Sequence, residues 1–168
     1  LVSLGQRPEA EARLTSLVPR QVAAWGARHS DVIAVRGLLA DVIERRGRLV
    51  EASKHRRDDV DACVGDDGKP SASAPTHMAR LARNLQRQGR EAEAAPWFLR
   101  SLELLPNGRR NDTAGKTLAA AYGRALCDLD RRAEGEPLCV EFIAACAGIA
   151  DADLQPPMRE ELGLSLLV

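Results

Sequence analysis

The chain has 168 residues, of which 45 % are apolar and only 3 % are aromatic. Its 24 basic residues are balanced by 24 acidic ones, which argues against a nucleic-acid binder because such proteins carry a basic excess. No apolar run is long enough to predict a membrane span. The cysteines form no C-x-x-C pair and are typical of buried thiols in a reducing compartment, so we expect a cytoplasmic protein.

A short motif recurs along the chain at intervals of 41 or 42 residues. Its turn positions are Gly5, Gly47, Gly89 and Asp130, and a Glu follows four residues after each of them. Gly adopts a positive φ without steric cost, and Asp tolerates that region better than most residues. Each turn is therefore expected to join the two helices of a hairpin.

Apolar residues at helical spacing precede these turns. The pairs four residues apart are Leu39 and Ile43, Leu81 and Leu85, and Tyr122 and Leu126. One apolar stripe per segment predicts helices. Their predicted ranges are 8–26, 31–46, 48–63, 75–88, 90–105, 113–129, 132–147 and 157–167.

Two further features interrupt this pattern. Pro19, Pro96 and Pro137 fall inside predicted helices, and each is expected to kink its helix or to delay its start. Residues 65–75 are rich in turn formers and are predicted to be a linker.

The hairpins divide the chain into units that must stack, because a single hairpin cannot bury both of its faces. We therefore predict an all-α fold, an α-solenoid of stacked antiparallel helix hairpins that forms one domain over 1–168. It comprises a partial unit at 1–27, whole units at 28–69, 70–108 and 109–150, and the start of a further unit at 151–168. Since both ends fall within a unit, we interpret the chain as part of a larger protein, with self-association possible through the cut ends.

Residues 75–108 resemble a unit of the tetratricopeptide repeat (TPR) family. The residues that carry the resemblance are Leu81, Ala82, Leu85, Gly89, Ala94, Phe98 and Pro106. The period of about 42 residues and the loop His29-Ser30-Asp31 are similar to the kinesin light chain class. Arg56 and Cys139 depart from that pattern at aromatic positions, as does Gly135 at an alanine position. The resemblance implies a TPR-like superhelix that binds a partner peptide or helix in a concave groove lined by the first helix of each unit.

Four arginines are predicted to lie on that groove. Arg80, Arg83 and Arg87 are spaced i, i+3, i+7 and share one helix face, and Arg124 should lie on the adjacent first helix. Guanidinium groups bind carboxylates and phosphates bidentately, so this is a candidate partner-binding site for an acidic or phosphorylated segment. The alternative is an ordinary solvated face in a chain whose basic residues are nearly all arginine.

No pattern predicts catalysis, a cofactor or a metal. Gly115-Lys116-Thr117 resembles the end of a phosphate-binding loop, but the glycine five residues earlier and a preceding strand are missing. The aspartates around Cys63 lack the order of a calcium loop, and the histidines lie far apart in sequence. We therefore expect a protein that is not an enzyme.

Three functions remain open from the sequence. The first is a protein–protein interaction scaffold. The second is the regulatory or sensor region of a multidomain bacterial signalling enzyme such as a Ser/Thr kinase. The third is a self-assembling structural scaffold that stacks through the apolar stripe of residues 157–168.

Overall fold

The computed structural model describes residues 7–110, 112–147, 149 and 153–167, and this part of the chain is helical. Its helices are α1 (Arg7–Trp25), α2 (Ser30–Arg45), α3 (Leu49–Ala62), α4 (Ala74–Gln86), α5 (Glu91–Leu104), α6 (Asn107–Arg110), α7 (Thr113–Asp128), α8 (Arg132–Cys146) and α9 (Pro156–Ser165). Within these ranges there is no strand, only an isolated β-bridge between Val64 and Pro70. The predicted all-α fold is confirmed. None of the described helices is both long and apolar enough to span a membrane.

The predicted helices begin and end within two residues of the observed ones. The short helix α6 was not predicted, because it directly follows Pro106 and its four residues carry no apolar stripe. A delayed helix start is wrong for all three prolines, because Pro19, Pro96 and Pro137 lie well inside α1, α5 and α8. Proline removes the bond to the carbonyl four residues earlier, and in each helix that residue is exposed, so its carbonyl can be hydrated (Thr15, Ala92 and Ala133).

The predicted turns have the expected backbone. Gly47 and Gly89 have φ of 79° and 70°, and Asp130 has φ of 62°, the only positive φ of a non-glycine residue in the described part. After α7, the Asp130 N–H donates to the Cys127 carbonyl (3.0 Å) and the Arg131 N–H donates to the Leu126 carbonyl (2.8 Å). These two bonds form a Schellman motif, which satisfies carbonyls at the helix end. The turn at Gly5 lies outside the described residues.

The chain divides into two compact units, residues 1–88 and 89–168. In the first unit, α1 packs on α2, α2 on α3, and α3 on α4. A buried cluster of small and branched residues joins the first three helices: Leu39, Ala40, Ile43 and Ala52, with Leu14 and Val18 packed against it. The single domain over 1–168, with repeats at 28–69, 70–108 and 109–150, stays a prediction.

In the second unit, α5 packs on α7, and α7 packs on both α8 and α9. The helices α7 and α8 make a close backbone contact at Gly123 and Gly135: a Cβ added to Gly123 would lie 2.6 Å from the Gly135 carbonyl oxygen, and one added to Gly135 would lie 2.3 Å from the Gly123 carbonyl oxygen. Gly135 departs from the alanine of the repeat motif, and this contact explains why. A second buried cluster holds α9 against the pair: Ala120, Phe142, Cys146, Leu154 and Met158.

The predicted linker at 65–75 is an ordered loop at its base. The Gly65 N–H donates to the Lys69 carbonyl (2.8 Å), and the Ser71 N–H donates to the Cys63 carbonyl (2.8 Å). These bonds bring the end of α3 next to the start of α4.

Candidate partner-binding face

The helix α4 is strongly amphipathic; it carries Arg80 and Arg83, and Arg87 directly follows its last residue. Its buried side consists of Met78, Leu81, Ala82, Asn84 and Leu85. Arg80 and Arg87 are exposed and Arg83 is half-buried, so the apolar stripe of α4 turns its arginines away from the core. We call Arg80, Arg83 and Arg87 the α4 arginine face.

Two members of the α4 arginine face have no intramolecular partner within the described part of the chain. No ion pair or hydrogen bond involves the side chains of Arg80 and Arg83, and the Nε of Arg83 is buried without a hydrogen-bond partner. A buried N–H that lacks an acceptor is destabilising, so the Arg83 side chain is not stabilised by an internal partner. Arg87 differs, because its Nη1 lies 3.4 Å from Oε2 of Glu44 on α2.

Glu44 is the centre of a polar network that joins α2, α3 and α4. Its Oε1 accepts hydrogen bonds from Nε of Arg56 (3.1 Å) and from Nδ2 of Asn84 (2.9 Å). Arg56 is buried and also donates to Asp41. In the sequence, Arg56 is notable only because it stands at an aromatic position of the repeat. Its partners could have been predicted from Asp41 and Glu44, two acidic residues spaced i, i+3 on the preceding helix. The network fixes Glu44 within reach of Arg87.

A second buried network lies behind the start of α4. Nε of Arg36 donates to Oδ1 of Asp59 (2.6 Å), and its Nη2 donates to the Asp58 carbonyl (3.0 Å). Oδ2 of Asp59 lies 3.9 Å from Nδ1 of His77, and neither atom has a hydrogen-bond partner. Burial raises the pKa of Asp59 against the opposing effect of Arg36, and burial, assisted by the charge of Arg80, lowers the pKa of His77.

The lowered pKa of His77 has a definite sign for stability. Between its folded pKa and the ordinary value of 6.5, the unfolded chain binds more protons than the folded chain. The free energy of unfolding therefore decreases as the pH falls through this window. Asp59 acts in the opposite direction, because its raised pKa makes the folded chain the better proton binder above the ordinary value of 3.8.

Arg124 is placed differently from the α4 arginine face. It lies on α7, and its Nε and Nη2 donate to the two carboxylate oxygens of Glu161 on α9, at 2.6 and 3.3 Å. The side chain of Arg124 is only 15 % exposed and that of Glu161 only 5 %. A bidentate, mostly buried pair holds α9 on α7. That Arg124 shares a binding site with the other three arginines stays a prediction.

The positions that could suggest chemistry have structural explanations. Gly115 lies in the first turn of α7, where its N–H donates to Oδ1 of Asp112 (2.8 Å) and a Cβ would overlap the Arg109 carbonyl. Nζ of Lys116 lies 3.7 Å from Oε1 of Glu141, so this lysine has an ion-pair partner. Across the described residues, no group of three or more His, Cys, Asp or Glu side chains could hold a metal ion. The four cysteines are free and buried, and burial raises the pKa of three of them (Cys127, Cys139 and Cys146).

Comparison with known proteins identifies the fold. No family model matches the chain, and no curated protein matches it. Two similar solved structures are of a Podosopora anserina protein named as a kinesin light chain with nearly identical TPR-like repeats. One, a point variant, has a TM-score of 0.75 at 19 % identity and covers 97 % of this chain and 78 % of that chain. The other has a TM-score of 0.73 at 20 % identity and covers 97 % and 79 %.

This is a TPR-like repeat fold. The resemblance stated from residues 75–108 is thus confirmed at the level of the fold.

Proposed function

We propose that the chain is a protein-interaction scaffold that binds an acidic segment of a partner protein, with Arg80, Arg83, Arg87 and Arg124 as the binding residues. The observation that carries the proposal is the unpaired state of Arg80 and Arg83 in a chain of zero net charge. Several exposed arginines of the described part pair with a nearby acid, as Arg131 does with Glu134. Arg80 and Arg83 differ from these in lying on one helix face without such an acid, where both can bind a carboxylate from outside.

The four arginines should contribute unequally. Arg80 and Arg83 should contribute most, because neither has to break an ion pair within the described part of the chain. Arg87 must exchange its contact with Glu44, which is weak because the two atoms are 3.4 Å apart and the Arg87 side chain is more than half exposed. Arg124 must release Glu161, so it contributes least unless the pair opens.

The test is binding to a set of synthetic peptides of equal length that are acidic, neutral or basic, measured by fluorescence anisotropy. We expect the acidic peptides to bind wild type and to lose at least about tenfold in affinity in a triple Arg→Glu variant of the α4 arginine face. A charge-matched control replaces three arginines that are each more than half exposed and paired with local acids: Arg100, Arg109 and Arg132. Equal losses in the two triple variants would reduce the effect to net charge and refute the site.

A second candidate function, self-association, is supported by exposed leucines at the end of α9. Leu166 and Leu167 are both well exposed, and Leu164 is partly so. Exposed apolar side chains that cluster mark contact surfaces. A mass by light scattering that stays monomeric as the concentration rises would remove this function. The regulatory role in a signalling enzyme and the cytoplasmic location stay predictions.

A further inference from the structure

A cleft of about 480 Å³ opens in the first unit, between the start of α2, the end of α3 and the start of α4. Its volume lies within the range of about 300–1,000 Å³ that is usual for small-ligand sites. Its polar lining includes Arg28, Ser71, Ser73, Thr76, His77 and Arg80, and no carboxylate is among the lining residues. The cleft therefore combines cations and hydrogen-bond donors with an apolar wall formed by Ile33, Ala34, Ala62 and Cys63.

The two arginines of this lining are available to a ligand. Arg80 has no ion-pair partner in the described part of the chain. Arg28 is half exposed, and its Nη1 contacts Oδ1 of Asp66, a carboxylate that is 94 % exposed. A pair this exposed to water is weak, so Arg28 can turn to a ligand or be shared with it.

The hydroxyl groups add donors that can adapt to a ligand. Oγ of Ser71 lies 3.0 Å from Oγ of Ser73, and Ser73 stands before α4 without making a capping bond. Hydroxyl hydrogens rotate, so one of the two groups can donate to an incoming oxygen while the other donates to its neighbour, and both can do so once their mutual bond is exchanged. His77 is only 12 % exposed, and its imidazole, which the lowered pKa keeps neutral, offers one N–H donor.

We propose that this cleft binds a phosphoryl group. A phosphoryl group carries up to two negative charges and three strong acceptor oxygens, which match two guanidiniums and several hydroxyl donors. A cation would be repelled by the arginines, and an apolar ligand would leave the donors unsatisfied. This inference deepens the proposed function and rests on it in one respect, because Arg80 belongs to both the cleft and the α4 arginine face. Arg28 and the serines lie outside that face.

The first test is a phosphate titration of the ¹⁵N-labelled chain at constant ionic strength, with chloride as the exchanged anion. We expect saturable shifts of the Ser71 and Thr76 amides, with affinity lowered about tenfold or more by Arg28→Gln and by Arg80→Gln. Both variants alter exposed side chains, and an unchanged melting temperature verifies their fold. Shifts that do not saturate, or that both variants retain, would overturn the site.

Two further comparisons are needed. One identifies the molecule that carries the phosphoryl group, and the other tests the cleft independently of the proposed function. A phosphoserine peptide that binds more tightly than its unphosphorylated form and than inorganic phosphate identifies a phosphopeptide ligand, and equal binding of phosphate and phosphopeptide identifies free phosphate. Arg83→Glu is the matched control, since Arg83 belongs to the α4 arginine face but does not line the cleft. Arg83→Glu should lower the affinity for acidic peptides and leave the affinity for phosphate unchanged. Arg28→Gln should lower the affinity for phosphate and leave the affinity for acidic peptides unchanged. Loss of phosphate binding in Arg83→Glu would show that only the general charge of the unit attracts anions.

Discussion

The contact between α7 and α8 at Gly123 allows a quantitative prediction for Gly123→Ala. The added Cβ would lie 2.6 Å from the Gly135 carbonyl oxygen, 3.0 Å from Cβ of Leu138 and 3.2 Å from Sγ of Cys139. The nearest of these atoms belongs to helical backbone and cannot move aside as a flexible side chain could. The two helices must therefore separate, or α7 must rotate.

The magnitude follows from two opposing effects. Overpacking a close contact costs about 1–3 kcal/mol of unfolding free energy, whereas replacing glycine by alanine inside a helix returns about 1 kcal/mol or less. Because the nearest atom is backbone at 2.6 Å, the overpacking cost should lie at the upper end of its range, about 2–3 kcal/mol, and Gly123→Ala should destabilise the chain by about 1–2 kcal/mol. Gly163 provides the matched control, because it lies within α9 and a Cβ there meets nothing within 4 Å. Gly163→Ala should stabilise by about 0.5–1 kcal/mol.

Urea unfolding followed by circular dichroism measures both variants. A changed midpoint at constant slope reports a change in stability, and the two midpoints should move in opposite directions. If Gly123→Ala unfolds at the same or higher urea concentration than wild type, the close approach of α7 and α8 is wrong.

Three further predictions concern single side chains. Asp130→Gly should stabilise by about 0.5–1 kcal/mol, because a φ of 62° strains any residue with a Cβ; a lower urea midpoint would contradict this. Arg124→Ala should destabilise by about 2–4 kcal/mol because it leaves the Glu161 carboxylate buried without its partner, and a change below 0.5 kcal/mol would show that the pair is dispensable. His77→Gln should reduce the loss of stability below pH 6.5, which is measured as the urea midpoint at a series of pH values. If the midpoint depends on pH as steeply as in wild type, the loss belongs to His55, whose pKa is also lowered by burial.

The sequence predicts the helices of this chain because each boundary carries a local signal. The turns at Gly47, Gly89 and Asp130 need a positive φ, and the apolar pairs before them define one face per helix. Such signals depend on neighbours within a few residues, and they also place Arg80 and Arg83 on a common face of α4.

The pairing of the charged groups could not be predicted in the same way. Glu44 lies 43 residues from Arg87, and Glu161 lies 37 residues from Arg124. These partners meet only because helices from different hairpins pack together. No short sequence pattern determines the register of that packing. The sequence could therefore name the arginines, but it could not show which of them are already occupied.

The loop between α3 and α4 gives the chain a natural insertion point. Its base is fixed by the bond from the Ser71 N–H to the Cys63 carbonyl, whereas residues 65–69 at its tip are all exposed. Extra residues between Asp67 and Gly68 would break the bond from the Lys69 N–H to Oδ1 of Asp67, but doubling the length of a loop costs only about 0.6 kcal/mol, so both helices should stay in place. An affinity tag or a fluorescent label could be built into the chain there.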